Sequence, residues 1–102
     1  PQVSAGYDKE AVRRVIRSKM GAIRWCYQQA LQRNPKLGGK VVLGFMITPT
    51  GRVQAPKVKD DSMQDPAVGK CIAKKSRNWK FPPPPDSGVV TVSYPFLFKA
   101  KQ

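Results

Sequence analysis

The chain contains no histidine. That removes the usual near-neutral general base, the commonest metal ligand and the usual physiological pH switch. Acidic residues are also scarce, with 6 Asp and Glu against 19 Lys and Arg. Cysteine is confined to Cys26 and Cys71, too few for a four-ligand zinc site. No apolar run approaches the roughly 18 residues that would mark a membrane span, and no signal peptide is recognisable. Acid–base and metal chemistry thus have little to work with: an enzyme is not expected, nor a metal or other cofactor.

What the chain does have is positive charge and one modest core. Its 102 residues suffice for a single domain. The net charge of +13 and the sequence pI near 10.3 attract anionic partners: nucleic acid, anionic lipid, acidic glycan or an acidic protein. Charge alone does not choose among them, and a solvated basic face with no dedicated ligand is an equal reading. Ten prolines and eight glycines accompany clear apolar periodicity, so the chain reads as globular. It opens on Pro1 rather than Met and is expected to be a piece of a longer protein, with any membrane anchor outside it.

Residues 1–8 read as a linker or frayed arm, 9–98 as the domain and 99–102 as a tail. Asp8 suits a helix N-cap, Glu10 suits its positive end, and Tyr7 with Val12 fits a hydrophobic staple. Val12, Val15, Ile16, Met20, Ile23, Tyr27, Ala30 and Leu31 then recur at spacings of three and four, predicting one long helix of about six turns. Asn34-Pro35 stops it and Gly38-Gly39 turns the chain. From Lys40 the period becomes two: Val41, Leu43, Phe45 and Ile47 point one way, Val42, Gly44, Met46 and Thr48 the other. Pro49-Thr50-Gly51 is a hairpin turn with glycine where positive φ is needed. On the return strand Val58 is out of phase with Val53 and Ala55, which predicts a bulge or an edge near Pro56.

Asp65-Pro66 starts a second helix, an N-cap followed by Pro at its first position. Val68, Cys71, Ile72 and Trp79 form its inner stripe, while Lys75 falls near that stripe and is expected to snorkel. Residues 82–85, four prolines, are an extended spacer. In the last strand Val90, Val92, Tyr94, Phe96 and Phe98 share the core face. Val89, Thr91, Ser93, Pro95 and Leu97 take the other. The order α-β-β-α-β predicts an α+β fold with two helices packed on one face of a three-stranded antiparallel sheet.

The acidic residues are accounted for by caps, a first helical turn and loops, so none is placed where burial would tune it for acid–base work. Cys26 and Cys71 each lie on or near the inner stripe of a helix. Two readings stand, a disulfide or a pair of buried free thiols, and the disulfide is the expected one. It closes a loop of about 46 residues and contributes roughly 4 kcal/mol in the chain-entropy model. It also points to an oxidising compartment such as the periplasm.

Arg13, Arg17 and Arg24 on the first helix, with Lys70, Lys74 and Arg77 on the second, form outer basic faces. They carry one functional reading, an anion-binding domain for nucleic acid or an acidic envelope polymer. Most aromatics fall on core faces, however. No Gly-x-x-Gly clamp or aromatic RNA-binding strand is present, so specific nucleic-acid recognition is not expected.

Three segments together carry a resemblance. Gly39-Lys40-Val41-x-Leu43-x-Phe45-x-Ile47-x-x-x-Gly51-Arg52-Val53, then Asn78-Trp79-Lys80-Phe81-x-Pro83, then Val90-x-Val92-x-Tyr94-Pro95-Phe96-x-Phe98 resemble the C-terminal domain of TonB-type energy transducers. Cys26, Cys71 and the ending Tyr94-Pro95-Phe96 resemble the branch found in gliding-motility proteins (the AgmX/PglI, or GltJ-like, type). The resemblance covers residues 9–98. It implies a periplasmic module of an inner-membrane-anchored protein that grasps an outer-membrane or periplasmic partner in an envelope complex.

In the transporter branch a partner peptide adds a strand beside the last strand, with backbone bonds supplying affinity. Carried onto this chain, the docking segment is Val89, Val90, Thr91, Val92, Ser93 and Tyr94. Pro95 ends it. The chain lacks the Tyr-Pro approach segment of the transporter branch and has a basic helix instead, so a motility or envelope-complex partner is implied. An exposed edge also leaves a homodimer open.

Overall fold

The structure, a computed structural model, describes residues 1–100. Of the expected tail, residues 101 and 102 lie outside the described residues. Along the chain the elements are β1 (Gln2–Val3), α1 (Lys9–Ser18), α2 (Met20–Leu31), β2 (Gly39–Ile47), β3 (Val53–Asp61), α3 (Pro66–Ser76) and β4 (Val90–Phe98). The α+β class is as expected, with one strand and one helix more than the sequence suggested.

The additional helix comes from a break in the long first one. Asp8 caps α1 as predicted, its carboxylate accepting the Glu10 N–H at 2.9 Å. At Lys19 the backbone leaves helical values, with φ −103° and ψ 4°, and its N–H turns back to the carbonyls of Arg17 and Ile16. The Ser18 hydroxyl donates to the Val15 carbonyl within the same turn, a bond that bends helices. The apolar stripe hides this break because Ile16 and Ile23 lie two turns apart on either side of it. α3 begins as predicted: Asp65 accepts the Ala67 N–H at 3.0 Å and Pro66 takes the first helical turn.

All neighbouring strands are antiparallel, in the order β1-β4-β2-β3. Val41, Leu43, Phe45 and Ile47 of β2, with Val90, Val92, Phe96 and Phe98 of β4, form the buried face. Ile16, Ile23, Ile72, Trp79 and Phe81 join the same core. Phe45 meets the edge of Trp79 at 6.3 Å and lies 5.5 Å from Phe81, while Tyr27 stacks on Phe98 at 4.7 Å. Such pairs contribute about 0.5–1.5 kcal/mol each beyond the area they bury.

The turn between β2 and β3 is closed by the Gly51 N–H donating to Thr48 at 2.8 Å. Gly51 has φ +86°, and a Cβ there would run into the Phe81 carbonyl. The Phe81 N–H in turn donates to the Gly51 carbonyl at 2.9 Å, so the turn and the segment after α3 lock together. Cys26 and Cys71 form the expected disulfide, their Cα atoms 5.7 Å apart, and it ties α2 to α3. Beside it Lys75 places its ammonium 4.7 Å above the ring of Trp25, the snorkelling expected of it.

Candidate partner-binding edge

Backbone alternation decides what β4 offers a partner. The N–H and carbonyl of Thr91 both point away from β2, since they bond to Ser4. Two residues on, Ser93 points the same way, and Val92 and Tyr94 point toward β2. Pro95 falls on the outward set, so its missing N–H costs the β2–β4 ladder nothing. The register of that ladder is unbroken from Gly39↔Phe98 to Ile47↔Val90. Side chains alternate as predicted: Val90 and Val92 are buried and Thr91 is exposed. Val89 lies just before β4 and is 55% exposed.

This edge is occupied by the chain itself. β1 pairs with β4 through Gln2↔Ser93 and Val3↔Val92. Ser4 continues the contact: its N–H donates to the Thr91 carbonyl at 3.0 Å, its hydroxyl oxygen accepts the Thr91 N–H at 2.8 Å, and the two hydroxyls lie 2.7 Å apart. The tip of the segment expected to be a linker or frayed arm is therefore a short edge strand. Tyr7 anchors its root by donating to the Pro82 carbonyl at 2.8 Å. Burial, and then the charge of Asp8, raise the Tyr7 pKa above its ordinary value. Sequence reasoning missed Gln2, Val3 and Ser4 as site residues. Their only signal is one apolar residue between two polar ones, too short to show a period.

The opposite edge is built differently. β3 departs from regular pairing twice, between Val42 and Leu43 and between Gly44 and Met46 of its partner, with Lys59 extra at the first place and an extra residue of the Ala55, Pro56 pair at the second. Ala55 adopts φ +53°, a left-handed value that is uncommon for a residue with a Cβ. The bulge expected near Pro56 is thus present, on an edge strand. Lys59 lies over Gly44, where a Cβ would collide with its aliphatic carbons, and its ammonium donates to Ser93 Oγ at 3.1 Å.

The predicted basic residues divide among several places. Arg13 is engaged by Glu10, and Arg17 lies exposed on α1. Arg24 borders a groove of about 800 Å³ between α2 and the end of β4, with Leu31, Leu97 and Lys99. Lys70, Lys74 and Arg77 of α3 meet Lys57 of β3 around a groove of about 410 Å³ whose lining includes no carboxylate. All four of these cations are exposed. Asp65 serves the α3 cap instead. The Ala67 N–H, chiefly, holds its carboxyl below the usual range against the opposing effect of desolvation, with the Arg33 guanidinium helping.

The family described as Gram-negative bacterial TonB protein C-terminal matches residues 28–100. The chain belongs to the TonB C-terminal family. Its fold is similar to the solution structure of the Pseudomonas aeruginosa TonB C-terminal domain, with a TM-score of 0.57 and 23% identity over 74% of this chain and 78% of that one. It is also similar to the Helicobacter pylori TonB C-terminal domain (residues 179–285), with a TM-score of 0.57 and 20% identity over 97% of this chain and 99% of that one. No curated protein sequence matches the chain. Domains of the TonB C-terminal family are non-catalytic, periplasmic interaction modules of envelope energy transducers. Among the described residues no helix is long and apolar enough to cross a membrane. The family match begins within α2, so β1 and α1 stand outside it.

Proposed function

We propose that this TonB C-terminal domain acts in the periplasm as the grasping end of an inner-membrane-anchored transducer, in gliding-motility or other envelope-spanning machinery. An outer-membrane or periplasmic partner adds a strand to the outer edge of β4, over residues 89–94. The observation that carries this reading is the edge itself: Thr91 and Ser93 present outward backbone groups in regular register, and the edge already accepts an extended segment, β1. The Cys26–Cys71 bond supports an oxidising compartment.

Thr91→Pro combined with Ser93→Pro tests it. Both changes remove outward N–H groups and spare the bonds to β2, as Pro95 already does. In a chain that also carries Ser4→Pro, so that the arm no longer competes for these groups, two lost bonds of about 1 kcal/mol each weaken capture of the envelope partner about 30-fold while the domain stays folded. Unchanged capture by a folded double variant contradicts the reading.

A second reading, contact with an anionic polymer, is favoured by the acid-free groove of Lys57, Lys70, Lys74 and Arg77. Because these cations are exposed and carry no base-reading partner, that contact is electrostatic, salt-sensitive and indifferent to sequence.

A further inference from the structure

We infer that residues 2–4 are a built-in occupant of the docking edge, so that a partner strand joins β4 only by displacing them. This rests on the strand-addition reading of β4 and adds how that site is controlled.

The position of the arm carries the inference. Its pairings, Gln2↔Ser93 and Val3↔Val92, fall in the middle of the proposed docking segment. Ser4 then uses the outward N–H and carbonyl of Thr91, the same groups an added strand needs. Arm and partner cannot hold Thr91 and Ser93 together.

The arm is built to be both present and removable. Its root is fixed by Tyr7 on the Pro82 carbonyl and by α1 behind it. Between root and tip lie Ala5 and Gly6, both exposed; Gly6 has φ +89° and nothing within 4 Å of where a Cβ would stand. The tether keeps the tip at a local concentration set by a few residues of chain. The tip itself is only β1 plus one serine, and its apolar hold is the half-buried Val3. A longer extended partner offers more backbone bonds than this tip does. The apparent affinity of the edge is then the intrinsic affinity multiplied by the fraction of molecules with the arm released. With the arm in place residues 91–93 of β4 are not an exposed edge, which also guards that stretch against pairing between copies.

Ser4→Pro in the full chain tests the inference. It removes the Ser4 N–H and hydroxyl together and touches no residue of the buried core. The probe is a peptide of residues 1–6, Pro-Gln-Val-Ser-Ala-Gly, added in trans, with amide exchange read residue by residue. In the parent chain the Thr91 and Ser93 amides are protected. In the variant they exchange faster while Val92 and Tyr94, bonded to β2, keep their protection and report that the sheet is intact. Loss of this clasp raises affinity for the trans peptide about tenfold.

A second variant works in the opposite sense. Gln2→Cys with Ser93→Cys, oxidised, ties the arm down and abolishes peptide binding. Equal peptide affinity in parent and Ser4→Pro, or binding that survives the tied arm, overturns the inference. Envelope-partner capture separates the two layers. If capture needs Thr91 and Ser93 but is the same in parent and Ser4→Pro, the docking edge stands and the gating inference fails. If capture ignores both Ser4→Pro and the Thr91 and Ser93 prolines, the docking reading fails and the inference goes with it.

Discussion

The two edges of this sheet avoid unwanted pairing by opposite means. β3 spoils its own backbone, with two bulges, a left-handed Ala55, Pro56 without an N–H, and Lys57 and Lys59 along its length. Those features are permanent, and they deny any strand a straight row of bonds. β4 keeps a regular register and is covered only by the short β1 and Ser4. Its protection can be lifted without disturbing the core. One edge is deformed and the other is covered. The difference between them is the physical ground for placing partner binding on β4.

This contrast can be broken by changes that strike the scaffold rather than the edge. The largest expected effect on stability is from Cys26→Ser with Cys71→Ser. The bond spans a sequence separation of 45 residues and joins α2 to α3, whereas β1 pairs with β4. Removing it should cost roughly 4 kcal/mol in denaturant unfolding, where the chain-entropy account applies. The affinity of the surviving folded domain for its partner should not move. A large fall in affinity without loss of folded protein would show that edge and scaffold are coupled, and the comparison would have to be redrawn.

A smaller effect sharpens the comparison. Charge reversal at Lys70, Lys74 and Arg77 should lower the salt concentration at which the domain leaves a polyanion support. Partner capture at physiological salt should change little, because exposed charges are screened over about 8 Å. If capture instead collapses, the α3–β3 groove is part of the partner site and β4 does not bind alone.

Most of the scaffold was legible in the sequence. The alternation of Val41, Leu43, Phe45 and Ile47, the glycine at the turn, the phase error at Val58 and the Asp65-Pro66 start each reflect a local rule, and each appears in the structure. The disulfide followed from two cysteines on two inner stripes. The break at Lys19 was not legible, because Ile16 and Ile23 keep the helical phase across it. β1 was not legible either: its pairing spans nearly the whole chain, and two residues of strand show no alternation. The division of the basic residues was hidden for a related reason. Lys57 joins Lys70, Lys74 and Arg77 only because a bulged β3 lies against α3, a non-local outcome. The edge proposed for docking was read from the sequence, and the β1 strand that lies on it was not.

The most direct test of this account is residue-resolved amide exchange on the domain with and without its captured envelope partner. If the partner adds a strand to β4, Thr91 and Ser93 gain strong protection in the complex, the outward amides of β3 stay as they were, and the Gln2 and Ser4 amides lose protection as the arm is released. Protection that appears along β3, or at neither edge while the partner remains bound, would contradict it.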